Sequence, residues 1–169
     1  MPSKATKVRT IAFRNANPLL DAVNVEIIRQ LSTDPRMAMK ELARRIGMSA
    51  PSVTERVQRL HEGGVIRAAR LDVDQRALGL HLTAYVRVRP MPGALPKVAQ
   101  LARATPEVVE CHRVTGEDCF IMKVFAADVA DLEAVLDEFL TYGNTTSSIV
   151  QSSPVPLRGP PLPPGLIKG

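Results

Sequence analysis

Apolar residues recur at helical spacing three times before residue 66, and after residue 80 they alternate instead. In the first run Leu19, Leu20, Val23, Ile27, Ile28 and Leu31 share a face, which predicts a helix from Leu20 to Thr33. Asp34-Pro35 stops it, because the residue before a proline resists the helical region. A second run turns Leu42 and Ile46 inward and Lys40, Arg44 and Arg45 outward. A third begins at Ser52, with Val53, Val57 and Leu60 on one face and Ser52, Glu55, Gln58 and Arg59 on the other. Thr54 and Arg56 flank that polar face.

Between the second and third runs stands Ile46-Gly47-Met48-Ser49. Gly47 is suited to the left-handed conformation that ends a helix, and Met48 is expected to point inward. Ser49 is suited to cap the next helix, and Pro51 falls in its first turn, where a missing N–H costs nothing. Two short helices joined by so tight a turn predict a helix-turn-helix whose second helix enters the major groove of DNA. After Gly63-Gly64, the stretch Val65 to Val73 is expected as an extended wing or linker strand whose Arg67 and Arg70 reach phosphate.

The second half reads differently. His81 to Arg89 alternates, with Leu82, Ala84, Val86 and Val88 on one side and Thr83, Tyr85, Arg87 and Arg89 on the other. A helix over Leu95, Val98, Leu101 and Ala102 closes before Pro106, and Val108 to Thr115 returns as a strand. Gly116-Glu117-Asp118 makes a hairpin loop, and Cys119 to Phe125 runs back, apolar on both sides apart from Lys123. Asp128 caps a helix lined by Val129, Leu132, Leu136 and Phe139, and Thr145 to Ser152 is the last strand.

The expected fold class is therefore α+β: an N-terminal winged helix-turn-helix followed by a C-terminal ferredoxin-like βαββαβ sandwich. Its divisions are a basic arm over 1–19, the DNA-binding domain over 20–66, a linker strand over 67–79, the sandwich over 80–153 and a tail over 154–169. Because the strand ending at Phe125 is apolar on both sides, the sheet face without helices is expected to meet a second copy, giving a homodimer. A two-fold dimer also presents two recognition helices to a palindromic site. The tail holds six of the fourteen prolines in 16 residues, and an extended or disordered segment is its default.

Charge separates the halves. Residues 1–20 hold Lys4, Lys7, Arg9 and Arg14 and no acid, residues 21–76 ten basic and eight acidic residues, and residues 77–169 eight basic and nine acidic. All of the net charge of +5 lies in the first half, which points to a polyanion partner there. For that contact Ser49, Ser52, Thr54, Glu55 and Arg59 carry groups suited to base edges, and Lys40, Arg44, Arg45 and Arg67 are placed for the phosphate backbone.

Other classes find little support. No apolar run approaches a membrane span, no secretory signal follows the basic start, and a cytoplasmic location is expected. Cys111 and Cys119 are then free thiols. With His112 between them they lack further ligands for a metal, and consecutive strand residues face opposite ways, which separates Cys111 from His112 as a catalytic pair. No paired acid and base or activated nucleophile can be assembled, so an enzyme is not expected and no cofactor is implied.

Taken together, Leu20-Asp21 with Ile27-Ile28, Glu41-Leu42-Ala43, Gly47-Met48-Ser49, Val53 with Glu55-Arg56-Val57 and Arg59-Leu60, and Gly64-Val65-Ile66 resemble the DNA-binding half of the Lrp/AsnC transcriptional regulators of bacteria and archaea. Val109 to Gly116 and the strand after it resemble the effector half, so the likeness covers Leu20 to Ser153. The resemblance implies a sequence-specific regulator that forms dimers and, from four of these, octamers. It also implies an amino acid or related small molecule bound between dimers near Gly116, Glu117, Asp118 and Cys119. Two departures stand out: Asn24 replaces an aspartate, expected to affect local capping, and Cys119 replaces an aspartate that holds the effector's polar end, although Asp118 is adjacent. The alternative is a nucleoid-associated DNA-packaging protein of the same fold that needs no effector.

Overall fold

The computed structural model describes residues 17–163. The basic arm, apart from its last residues, and the end of the tail lie outside the described residues. The chain divides into two compact units, one running to Leu71 and taking up the chain again from Leu157, the other Asp72–Pro156.

The first unit holds α1 (Ala22–Thr33), α2 (Met39–Ile46) and α3 (Ala50–Glu62). Ile27, Leu42, Val53 and Leu60 are wholly buried and Met37 and Ala43 nearly so, and Leu31, Ile46, Met48 and Val57 pack around them. Each buried Leu, Ile or Val contributes roughly 1.5–3 kcal/mol. The turn takes the form expected: Gly47 has φ 76°, and Ser49, in extended conformation, accepts a hydrogen bond from the Ser52 amide.

Residues 63–74 form no strand. The amides of Val65 and Ile66 instead donate back to the Leu60 carbonyl at 2.9 and 3.0 Å, winding the chain over the end of α3. Their side chains are half-buried against the helical core. A wing needs a neighbouring strand for its backbone groups; here the helix end takes the amides of Val65 and Ile66, residues 67–74 form no strand and Gln75–Leu78 is a 3-10 turn, so the expected wing and 67–79 linker strand are corrected.

The head of α1 is built around Asn24, one of two buried polar residues in the described chain. The helix is capped by Asp21, whose carboxylate accepts from the Asn24 amide at 2.7 Å. The Asn24 side chain donates to the Leu19 carbonyl at 2.7 Å and accepts from Arg56 of α3 at 3.0 Å. Arg56 also pairs with Asp21 at 2.7 Å. Asn24 is thus a connector between helices rather than a capping residue, against expectation. An aspartate here has no N–H for Leu19 and would set a carboxylate beside a carbonyl oxygen.

In the second unit β1 (Leu82–Pro90), β2 (Val108–Arg113), β3 (Phe120–Ala126) and β4 (Gly143–Ile149) form an antiparallel sheet in the order β2-β3-β1-β4. Helices α4 (Leu95–Ala104) and α5 (Val129–Leu140) cover one face, with Val98, Ala102, Leu132, Val135 and Phe139 packed on Ala84, Val86, Val88, Phe120, Met122 and Val124. Asp128 caps α5 by accepting from the Asp131 amide. The order and helix placement are those of the ferredoxin-like sandwich. On the other face Tyr85, Arg87 and Arg89 are exposed and Ile121, Lys123 and Phe125 half-buried. The edge strand β2 carries a bulge between Val108 and Glu110.

Replacing Asn24 by alanine leaves the Leu19 carbonyl without its partner and Arg56 with one acceptor fewer. Urea unfolding followed by circular dichroism is expected to show the first unit destabilised by about 1–3 kcal/mol, and less than 0.5 kcal/mol would contradict the connector role.

Candidate nucleic-acid interface and effector loop

The buried stripe of Val53 and Leu60 fixes which side of α3 faces water. Thr54, Glu55, Gln58 and Arg59 are exposed and Ser52 half-buried, so the polar face predicted from spacing is open to a large partner. Ser49 is exposed at the start of the helix, its hydroxyl 2.8 Å from that of Ser52. The Thr54 hydroxyl donates to the Ala50 carbonyl at 2.9 Å and keeps its lone pairs free. A polar depression of about 430 Å³ opens between this face and the head of α1, bordered by Asp21, Asn24, Ser52, Glu55, Arg56 and Arg59.

Much of the charge on this surface is already engaged. Glu55 pairs with Arg59, and Gln58 donates to Glu62 at 2.7 Å. On α2 the Glu41 carboxylate receives Arg44 at 2.7 and 2.8 Å and Arg45 at 2.8 Å, while Arg45 also donates to Gln30 at 3.0 Å. The Arg44 and Arg45 hydrogen bonds pull the Glu41 carboxyl down to about 2 from its ordinary 4.5. Arg44 is shifted up in turn by the same carboxylate. Lys40 and Arg67 are exposed and pair with no carboxylate among the described residues.

Spacing signalled these pairs, since Glu41 precedes its arginines by three and four residues and Glu55 precedes Arg59 by four. The expected roles of Arg44 and Arg45 on phosphate and of Arg59 on base edges leave out the helical carboxylates, Glu41 and Glu55, that hold these side chains. Arg56 was expected on the flank of the polar face, whereas Asp21 and Asn24 tether it to α1. The Asp21 carboxyl lies below its usual range: partial burial raises it, and hydrogen bonds from the Asn24 amide and Arg56 together outweigh that.

At the β2–β3 turn the Val114 amide donates to the Cys119 carbonyl at 2.9 Å, closing the hairpin. Gly116 has φ 113°, where a side chain would be strained. Glu117 projects into solvent, Asp118 and Cys119 are half-buried, and the Cys119 thiol lies 3.8 Å from the carbonyls of Gly116 and Glu117. Two residues outside the expected set lie against this loop. Arg89 of β1 pairs with Glu117 and reaches Asp118 at 3.4 Å, and Arg87 meets the other oxygen of Asp118 at 3.4 Å. Alternation along β1 placed both arginines on one face, but only the strand order sets them beside the loop.

A larger groove of about 690 Å³ lies between α4 and β2, bounded by Leu95, Ala99, Arg103, Val109, Cys111 and Phe120; none of residues 116–119 borders it. Both cysteines are free thiols, Cys111 exposed on the edge strand opposite Met122. Although the residue as a whole is exposed, partial withdrawal from water pushes the Cys111 thiol up, against the opposing charge of Arg103. No cluster of potential metal ligands occurs among the described residues, and no helix there is long and apolar enough to cross a membrane.

Residues 20–61 match the AsnC-type helix-turn-helix domain, and residues 83–160 the Lrp/AsnC ligand binding domain. LrpC, a transcriptional regulator of Bacillus subtilis, is 32% identical over 133 residues, covering 79% of this chain and 92% of its own. The leucine-responsive regulatory protein of Rhizobium meliloti is 36% identical over 125 residues, 72% of this chain and 80% of that one. The structure of LrpC superposes with a TM-score of 0.76 at 31% identity, over 79% of this chain and 96% of that one. That of a Neisseria meningitidis transcriptional regulator in complex with L-Met has the same fold, with a TM-score of 0.76 at 23% identity, over 82% and 94%.

Glu41 yields a pH signature. With its carboxyl depressed in the folded unit, it contributes stability that is fully present above pH 4.5 and lost as the pH falls from 4.5 toward 2. Over that window the urea midpoint of the first unit is expected to fall more steeply in the wild type than in Glu41→Gln; parallel curves would mean that the clamp is not formed in solution.

Proposed function

The chain belongs to the Lrp/AsnC family of DNA-binding transcriptional regulators, and from that premise we propose that it reads DNA sequence through the exposed face of α3 and adjusts its occupancy in response to an amino acid. The observation that carries the DNA half is the orientation of α3: its valine and leucine stripe is buried and its polar face is clear. Ser49, Ser52, Thr54, Glu55 and Arg59 contact base edges, and Lys40, Arg44, Arg45 and Arg67 the phosphates. For Arg44 and Arg45 binding is an exchange, in which a phosphate takes the place of Glu41. Exposed pairs of this kind hold by about 0–1 kcal/mol, so the exchange costs little.

The second unit serves as the sensing and assembly domain. Its loop at Gly116, Glu117, Asp118 and Cys119 receives the effector, and the half-buried Ile121 and Phe125 on the open sheet face support pairing with a second copy. Dimers then assemble into octamers, and an effector bound between dimers shifts the balance among assemblies for which it has different affinities. Amino-acid binding within this fold has a precedent in the Neisseria regulator in complex with L-Met. We place the protein in the cytoplasm, on the nucleoid.

Binding-site selection followed by footprinting tests the DNA reading. A few strong sites with defined spacing are expected, whereas even coverage of genomic fragments would mean packaging instead. Glu55→Ala is expected to change sequence preference. Arg45→Ala should weaken all sites alike and lower the slope of affinity against salt by about one. Equal weakening of every site by both variants would overturn the placement of the reading face. A thermal-melting screen with the twenty standard amino acids should shift for one or a few, and a flat response would remove the effector.

A further inference from the structure

The loop proposed to receive the effector is already full of charge, and its charges are balanced. Two arginines from β1 face two carboxylates from the hairpin, on the face of the sheet that carries no helix. The two carboxylates differ in setting. The Asp118 side chain is 29% exposed and lies between both guanidinium groups, whereas that of Glu117 is 80% exposed and meets Arg89 alone. Glu117 therefore loses little by leaving, since its carboxylate returns to bulk water without crossing a buried region. Asp118 has two partners and less solvent.

Resting on the effector reading above, we propose that Glu117 is a built-in stand-in for the effector's carboxylate. The incoming carboxylate replaces Glu117 on Arg89, and Asp118, kept in place by Arg87, accepts the effector's ammonium. An arginine paired with a carboxylate is already oriented for another, because its fork of donors matches that geometry. A free amino acid carries both charges and enters without changing the balance of the cluster. A ligand with only one of them leaves either Arg89 or Asp118 badly matched.

The exchange makes a prediction that a direct contact by Glu117 does not. Calorimetric titration of the full chain with each of the twenty standard amino acids first identifies the binder. Glu117→Gln, which removes the competitor, should then bind it about 2- to 5-fold tighter. Arg89→Gln should bind at least about 10-fold more weakly. The carboxamide of the same amino acid, which lacks the negative charge, should not compete in the wild type. Glu117 is exposed, so Glu117→Gln is expected to melt as the wild type does, and its sign alone decides. Unchanged or weaker binding by Glu117→Gln, beside an intact wild-type signal, overturns the stand-in while the effector reading survives. Absence of binding by any of the twenty to the wild type removes both.

Discussion

The exposed polar face of α3 is only as well aimed as the contacts that hold that helix to its neighbours. Two of them do most of the aiming. At one end Gly47 takes a conformation closed to most residues and Ser49 caps the helix, which lets the chain reverse without losing the apolar seam shared by α2 and α3. Along its side Arg56 crosses to the head of α1 and is gripped by Asp21 and Asn24. A rotation of α3 about its axis would break these charged hydrogen bonds and lift Val53 and Leu60 out of the core. The exposed side chains inherit their direction from what is buried behind them.

A second theme runs through both units. The arginines suited to bind a ligand are seldom idle: Glu41 holds Arg44 and Arg45, Glu55 holds Arg59, and Glu117 and Asp118 hold Arg87 and Arg89. Every one of these pairs is at least partly in water, where the attraction is weak and screened by salt. Such pairs order long side chains at small cost and yield to a phosphate or a carboxylate of better geometry. Arg56 is the exception that clarifies the rule, since one of its acceptors is the buried Asn24.

The order of helices and strands was legible because it depends on local signals. Periodicity, the Asp34-Pro35 stop, the Gly47-Ser49 turn and the Asp128 cap each act within a few residues, and each stands where expected. The wing was not legible, because the amides of Val65 and Ile66 are claimed by the Leu60 carbonyl once Gly63 and Gly64 turn the chain. Asn24 was misread for a related reason: its role depends on Arg56, 32 residues away, and on a carbonyl that only the folded turn presents. Val25 is buried although it lies off the stripe that spacing assigned to α1. At the sites, the polar face of α3 could be read from one helix, whereas the arginines beside Glu117 and Asp118 are neighbours only through the β2-β3-β1 order.

The bulge in β2 has a bearing on what the second unit avoids. A regular edge strand offers a row of unpaired backbone groups to any passing chain, and uncontrolled ladder growth follows when that row is long and straight. The extra residue between Val108 and Glu110 throws the row out of step, and Glu110, His112 and Arg113 set charged or polar side chains along the remainder. The second unit is thereby protected against stacking into fibrils through this margin.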